Sequence, residues 1–300
     1  MIDQPIDRET VEAIERQRLL VGFLPYETAV QAVQQSDAVW DSPAAQNAPT
    51  SDDFEARWNE ATAAIDELDY SLDRPTVEEL PESAEIDDHV ERLSELDHVA
   101  ETYGDDPTEY RIRLVPIEKL IALQATVTTT AYEDIPRWED DPMGVLEYVF
   151  PTERAQGFFQ QSIQTPDNQL VGIQLTSRAP NVSVEEIQIG DGPRIMEKQI
   201  AFTVRAKPNL VNVARYEGRL LLMNGYHRTY QLMQNGETHV PAFVRDVDAF
   251  PDGLDFSEEL AMSDRPPMLP DFNTDAATTI RKPAMNELIR ITAETTKVFR

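Results

Sequence analysis

The residues whose types and spacing could do chemistry are concentrated between 223 and 244, in the stretch MNGYHRTYQLMQNGETHVPAFV. An apolar run ends at Asn224 and Gly225, which tolerate left-handed backbone geometry and can turn the chain. His227 and Arg228 stand in the first turn of the predicted helix, where backbone N–H groups and the helix dipole favour an anion. Arg228 could bind a phosphate through two parallel hydrogen bonds, while His227 could donate to it, stack on a base or move a proton.

A strand, a tight turn, a helix and a second strand are predicted to position these residues. The Leu-rich run 219–223 is typical of a buried strand. Apolar residues at helical spacing begin at Tyr226, and Asn235 with Gly236 supplies a helix stop before a strand at 240–244. The turn between the first strand and the helix would therefore hold the functional side chains.

The residues around this turn are basic although the chain as a whole is acidic. The 300 residues include 55 Asp and Glu against 26 Lys and Arg, a formal net charge of -29. Between 193 and 230 the basic residues prevail: Arg194, Lys198, Arg205, Lys207, Arg215, Arg219 and Arg228. We expect Arg215 and Arg219 to help bind the anion. The alternative is that these arginines pair with carboxylates of the N-terminal region.

The composition excludes several classes of protein. The chain has no Cys, which excludes disulfides, thiolate nucleophiles and Cys-ligated zinc. No apolar run approaches the roughly 18 residues of a spanning helix, and no signal-peptide pattern is present, so we expect a cytoplasmic protein without membrane contact. The dense carboxylates resemble those of salt-in halophilic archaea, where molar salt screens their repulsion. The four histidines lack a zinc-binding spacing, so we expect no metal site.

The pattern along the chain predicts an α+β fold in three segments. Residues 1–105 are an acidic, mostly helical region, with helices predicted at 9–20, 26–40, 52–70 and 87–103. Residues 106–250 combine short β-rich runs with helices at 116–123 and 143–161, typical of a mixed sheet. Residues 251–300 are a Pro-rich segment followed by a basic tail. The N-terminal helices could cap the main domain or bind a protein partner.

The string LLLMNGYHRTYQLMQNGETHVPAFV resembles the ParB/sulfiredoxin-like superfamily. This superfamily includes the N-terminal domain of ParB partition proteins, sulfiredoxin and the DGQHR-type proteins of DNA modification systems. A second string, YRIRLVPIEKLIALQAT at 110–126, is similar to the strand and helix that open this domain, and its polar end would turn Gln124 toward the ligand. The resemblance implies a ParB/sulfiredoxin-like mixed sheet with an insertion between the two strings.

Members of this superfamily hold nucleotide phosphates at the Gly-x-x-Arg turn, CTP in ParB-type switches and ATP in sulfiredoxin and related kinases. Carried over by position, Gly225, His227 and Arg228 would cradle a phosphate, with Asn224 and Tyr226 completing the turn. The resemblance thus implies a nucleoside triphosphate with Mg²⁺ as ligand. The essential cysteine of sulfiredoxin falls at Tyr226, which excludes that repair chemistry here.

The sequence therefore predicts binding of a nucleotide or of a nucleic-acid phosphate such as DNA. The domain would act as a nucleotide-dependent switch or as a slow NTPase, with His227 as the candidate catalytic residue. Two alternatives stay open: a component of a DNA-modification or nuclease system, and a non-catalytic interaction module.

Overall fold

The structure is a computed structural model of the chain. The residues that it describes are 14–35, 39–40, 51–96, 99, 111–129, 135–151, 158–164, 170–177, 182–191, 198–206, 210–251, 255–283 and 287–292. These residues form an α+β fold, as the sequence predicts. No helix within these ranges is long and apolar enough to cross a membrane.

The described residues contain helices, short 3₁₀ turns and strands. The helices are α1 (Tyr26–Gln35), α2 (Ser51–Ile65), α3 (Ala84–Ser94), α4 (Pro142–Val149), α5 (Tyr226–Gln234) and α6 (Glu258–Ala261). The 3₁₀ turns are Val21–Phe23, Ile117–Lys119 and Leu269–Asn273. The strands are β1 (Ile14–Leu19), β2 (Val39–Trp40), β3 (Glu78–Glu79), β4 (Arg111–Pro116), β5 (Leu120–Ala122), β6 (Thr126–Thr128), β7 (Phe158–Gln164), β8 (Leu170–Ser177), β9 (Val182–Asp191), β10 (Lys198–Ala206), β11 (Asn212–Tyr216), β12 (Arg219–Asn224), β13 (His239–Asp246), β14 (Thr278–Pro283) and β15 (Glu287–Thr292).

The chain divides into two compact units. The first comprises Met1–Thr152 and Asn209–Ala284, and the second comprises Glu153–Pro208 and Met285–Arg300. The second unit contains the antiparallel sheet β15-β8-β7 and the hairpin β9-β10. The first unit contains the other two sheets and all of the predicted ligand-binding residues.

The main sheet of the first unit is mixed and has the strand order β3-β4-β13-β11-β12-β5. Its parallel pairs are β11 with β13 and β12 with β5, and the remaining pairs are antiparallel. β12 is buried on both faces: Leu220 and Leu222 belong to one hydrophobic cluster, whereas Leu221 belongs to another. Burial on both faces explains why this strand is a continuous apolar run without polar alternation.

A second, antiparallel sheet in this unit has the order β2-β14-β1-β6. Leu19 at the end of β1 is fully buried, and α2 packs beside the turn that follows this strand. Gly22 lies so close to α2 that a Cβ atom there would stand 2.4 Å from the carbonyl oxygen of Ala61. Trp58 of α2 donates its indole N–H to the Leu24 carbonyl at 2.9 Å. The apolar stripe of α2 is therefore packed on the core of the first unit.

Most of the predicted helices differ from the structure in whole or in part. Residues 39–40 of the predicted helix 26–40 form β2, which pairs with β14. The predicted helices 52–70 and 87–103 correspond to α2 and α3, which end at Ile65 and Ser94. Residues 14–19 of the predicted helix 9–20 form β1, because pairing with β14 and β6 overrides the local helix preference; residues 9–13 lie outside the described ranges. The predicted helix 116–123 is a single 3₁₀ turn followed by β5, which pairs with β12. The predicted helix 143–161 ends at Val149, because Pro151 disfavours helical geometry at Phe150, and the chain resumes as β7.

The compact units differ from the three segments predicted from the sequence. Strand β1 of the predicted N-terminal segment pairs with β14 of the predicted C-terminal segment and with β6 of the central segment. These pairings join all three segments within one unit. The second unit takes most of its residues from 153–208, which lie between the two strings that carry the superfamily resemblance.

Asp271 fastens the Pro-rich segment to the N-terminal part of the chain. Its Oδ2 accepts hydrogen bonds from the Tyr70 hydroxyl and from the Met268 backbone N–H, both at 2.7 Å. The residue is only 3% exposed. Burial raises the pKa of the Asp271 carboxyl to about 6, although both hydrogen bonds favour the ionised form.

We predict that Asp271→Asn removes a pH-dependent loss of stability. The pKa of this carboxyl is about 6 in the folded protein and about 3.9 in an unfolded chain. The folded state therefore binds the proton more tightly, and stability falls as the pH rises through this interval. The loss is about 3 kcal/mol in total, of which about 1 kcal/mol falls between about pH 5 and pH 7. Both hydrogen bonds reach one oxygen, so the amide oxygen of Asn can accept them.

Urea unfolding in KCl across this pH range measures the effect. The difference in unfolding free energy between Asp271→Asn and wild type should grow with pH. Asp275→Asn, at an exposed position in the same segment, controls for the change in net charge. Equal pH dependence of Asp271→Asn and wild type would show that the carboxyl does not titrate in this range.

Candidate functional site

The turn between β12 and α5 is built on Gly225. This residue caps the helix in the left-handed region, with φ of 88°. A Cβ atom at this position would lie 2.7 Å from Cγ2 and 2.9 Å from Cα of Val211. Glycine is therefore required both by the backbone angle and by the close approach of Val211.

Two parallel strands end side by side at this turn. β5 and β12 pair in register from Leu120 opposite Leu220 to Ala122 opposite Leu222. The residues that follow each strand therefore leave the sheet at the same edge, and Gln124 is brought to the edge where Asn224 stands. In open sheets, ligands bind in the crevice beyond the carboxyl ends of such strands.

Tyr226 lies beneath the turn and holds the two strand ends together. Its hydroxyl donates to the Leu222 carbonyl and accepts from the Leu123 backbone N–H at 3.2 Å. The side chain is 4% exposed, and burial raises its pKa well above the usual range of tyrosine. The side chain of Tyr226 thus serves the fold.

His227 and Gln231, one helical turn apart on α5, both contact Thr128 of β6. The Thr128 N–H donates to Nδ1 of His227 at 2.9 Å, and Nε2 of Gln231 donates to the Thr128 carbonyl at 3.0 Å. β6 is the outer strand of its sheet, so its outward N–H and C=O groups need partners. The two side chains supply them.

Arg228 joins the start of α5 to the end of α4. Its Nη1 donates to the carbonyl of Val149, the last residue of α4, at 3.3 Å. A positive charge is favourable at a helix C-terminus, where the carbonyl groups point outward. The guanidinium therefore has a structural contact at the end of α4.

Arg215 and Arg219 lie at the opposite end of the sheet from the turn. β12 begins at Arg219 and ends at Asn224, five steps or roughly 16 Å away, and Arg215 pairs with Leu220 near the same end. Arg219 donates through Nη1 to the carbonyls of Ala261 and Ser263 at 2.9 and 2.7 Å, and Arg215 approaches Asp246 at 3.4 Å.

The structure thus separates the predicted site residues into two groups. One edge of the main sheet brings together Gln124, Asn224, Gly225, Tyr226, His227 and Arg228, whereas Arg215 and Arg219 lie at the other. Of the remaining basic residues near the turn in sequence, Arg194 and Lys207 lie outside the described residues. Lys198 and Arg205 are on β10 of the second unit.

Several residues at the site escaped sequence reasoning. Asp255 accepts from the Ala125 N–H through Oδ2 at 2.7 Å and donates its own N–H to the Leu123 carbonyl at 3.0 Å. Together with Tyr226, this residue holds the loop after β5 from two sides. Asp255 and Thr128 are remote from the turn in sequence, so no local signal could have identified them.

Metal binding by side chains finds no support in the ranges that the structure covers. No group of three or more His, Asp or Glu residues there is arranged to hold a metal ion.

Comparisons of the chain with protein-family models, with curated proteins and with solved structures found no match.

We predict that Gly225→Ala is much more destabilising than Gly236→Ala. Both glycines have positive φ, 88° and 91°, so each alanine incurs a left-handed penalty of about 1 kcal/mol. Only Gly225 has Val211 against it, since a Cβ atom at Gly236 would meet nothing within 4 Å. The added clash should bring Gly225→Ala to about 3 kcal/mol, because the backbone of β11 must move. Urea unfolding compares the two variants, and equal losses would contradict this packing.

Proposed function

We propose that this protein carries a ParB/sulfiredoxin-like domain that binds a nucleotide or nucleic-acid phosphate at the turn Gly225 to Arg228. The observation that carries the proposal is the shared end of β5 and β12 at a left-handed glycine. The two strings that carry the superfamily resemblance supply these neighbouring strands, although about a hundred residues separate them in sequence. Their adjacency supports the proposal because it brings the two strings to one position in the fold.

The first turn of α5 has the physical properties of an anion site. The helix has nine residues, so its dipole places partial positive charge at the N-terminal end. The left-handed Gly225 turns the chain directly into α5, so the backbone N–H groups of the first helical turn follow it at the end of the strand. Arg228 and His227 add a cation and a hydrogen-bonding ring to the same turn, and Gln124 adds an amide from the neighbouring strand end. These groups suit a phosphate with a polar extension.

A nucleoside triphosphate is the ligand that the proposal favours. Magnesium would enter with it, held mainly by phosphate oxygens and water, as is usual for this ion. Binding could switch the conformation of the domain or lead to slow hydrolysis. A nucleic-acid phosphate would accept hydrogen bonds from the same donors. In that case the protein would be a component of a DNA-modification or nuclease system, the first alternative that the sequence leaves open.

A non-catalytic interaction module is the second candidate, and a specific observation favours it. His227, Arg228 and Arg219 each bond main-chain atoms of the same unit. These hydrogen bonds stabilise the fold without any ligand, so they explain the three side chains by structure alone. In this second candidate function, the N-terminal helices would bind a protein partner, which is one of the two roles that the sequence predicts for them.

Calorimetry with CTP, ATP and GTP in high KCl and Mg²⁺ tests the proposal. We predict that one nucleotide binds and that Arg228→Ala weakens binding about tenfold or more, because a charge-assisted contact to phosphate is lost. Arg215→Ala is the matched control: it removes the same charge at the far end of the sheet and should change affinity by less than about twofold. Circular dichroism verifies that both variants are folded.

Each form of the proposed function is contradicted or selected by a different result. Absence of nucleotide binding by the wild type, or unchanged affinity in Arg228→Ala, removes the nucleotide form of the proposal. DNA retardation or nicking that depends on Arg228 would select the nucleic-acid form. An Arg228→Ala protein that loses stability but keeps its protein partners would select the interaction module.

A further inference from the structure

A groove lined mainly by carboxylates lies between α3 and α4, and none of its lining residues belongs to the turn at Gly225. Its volume is about 570 Å³. One wall comes from α3 and the residue that caps it, and the other comes from α4. The carboxylates are those of Glu85, Asp88, Glu91, Glu95 and Glu147. In so acidic a chain a carboxylate cluster can serve solubility alone, so the residue beneath the groove decides its significance.

That residue is a buried histidine of α3. His89 is 0% exposed, and neither of its ring nitrogens has a hydrogen-bond partner of normal geometry among the described residues. Buried polar atoms are nearly always paired in folded proteins. The neutral imidazole has one donor and one acceptor nitrogen. His89 therefore holds hydrogen-bonding capacity that the fold itself does not use.

Two observations place the ring of His89 at the groove. Residues three and four apart lie on one face of a helix, and Arg92 and Glu85 of the groove have these spacings from His89. The nearest charges acting on the ring are those of Arg92 on α3 and Glu147 on α4, one from each wall. Burial and Arg92 lower the pKa of His89, against smaller opposing effects of Glu147 and the Phe150 backbone. The ring is therefore neutral near pH 7.

The arrangement suits an extended organic cation rather than a metal ion. The carboxylates of α3 follow one another at intervals of three or four residues, about 5 Å along the helix axis. Within the described ranges no three acidic or histidine side chains converge to hold one ion. Ammonium or guanidinium groups spaced along a chain can pair with them one by one, and a neutral imidazole can accept an N–H from such a group. Met143 in the same groove suits the aliphatic stem of lysine or arginine.

We propose that the groove between α3 and α4 binds a basic segment of a partner protein, with one lysine or arginine side chain donating to His89. The cation reaches the ring by displacing groove side chains, a common change when proteins bind. Arg92 favours a peptide over a polyamine, because it repels a pure cation but pairs with an acidic residue that a peptide supplies. This site gives the N-terminal helices the partner that the sequence predicts as one of their two roles. Binding there does not depend on a phosphate at the turn.

Calorimetry with a short lysine-rich peptide that carries one central glutamate tests the groove. The full chain is used at the lowest KCl concentration at which circular dichroism shows it folded, because salt screens exposed charges. We predict that the wild type binds and that Glu85→Gln/Glu147→Gln, which removes one carboxylate from each wall, lowers affinity about fivefold. Glu55→Gln/Glu67→Gln makes the same change in net charge at exposed positions outside the groove, and it should change affinity by less than about twofold.

Three results would overturn the proposal at this stage. The first is absence of binding by the wild type, and the second is an equal loss of affinity in the two double variants. The third is equal affinity for spermidine, which would show that the groove attracts any linear polyamine. The same peptide with acetylated lysines should not bind, since it lacks the cations.

His89→Phe separates a ligand-binding histidine from a structural one. Phenylalanine keeps a ring at this position and removes both unpaired nitrogens, so we expect the urea midpoint not to fall. Peptide affinity should nevertheless fall about tenfold, because a hydrogen bond from a charged group is lost. Nitrogen-15 NMR gives a second readout: the ring signals absent from His89→Phe should shift when peptide is added to the wild type. Unchanged affinity in a folded His89→Phe protein, or His89 signals that the peptide does not move, overturns the proposal.

Discussion

The parallel pairing of β5 with β12 is the constraint on which the candidate site depends. Strands that run in the same direction release their following segments at the same edge, so Gln124 and Asn224 become neighbours. A parallel pair also needs a long crossover, and most of the second unit lies within the chain that connects these strands. Loop-closure entropy grows slowly with length, so such an insertion costs the pairing little. The site can therefore stay the same whether or not the crossover carries an extra unit.

Hydrogen bonds from side chains to the main chain complete what the sheets leave open. The hydroxyl of Tyr226 joins β12 to the loop after β5, and Asp255 holds that loop from the other side. A buried backbone N–H or C=O group is costly when it is unpaired. Removing one of these hydrogen bonds would therefore lower the stability of the fold by more than the net stabilisation of a typical hydrogen bond. Because the partners come from distant parts of the chain, the geometry of the turn depends on the whole first unit being folded.

The sequence predicted the parts whose signals are local. The strand, turn, helix and strand from β12 to β13 are confirmed because the Leu-rich run, the left-handed glycine and the helical spacing each act within a few residues. β1 was missed because it is a strand only through partners more than a hundred residues away. Arg215 and Arg219 were assigned to the anion site because they are close to it in sequence. In the hairpin β11-β12, however, both arginines lie at the end of the strands opposite the turn at Asn224. Composition cannot predict this separation, because it depends on the direction in which the strand runs.

Arginine side chains join distant parts of this acidic chain by donating to main-chain carbonyls. Arg18 donates to the carbonyls of Phe272 and Thr274 at 2.6 and 2.8 Å, and Arg57 donates to that of Ala277 at 3.0 Å. Bonds to buried neutral carbonyls are screened less by ions than pairs of exposed charges. Arg228 on the Val149 carbonyl is a contact of the same kind. A neutral carbonyl is a weaker acceptor than a phosphate oxygen. A phosphate bound at this turn would therefore compete with the Val149 carbonyl for Arg228, at the cost of taking a donor from that carbonyl.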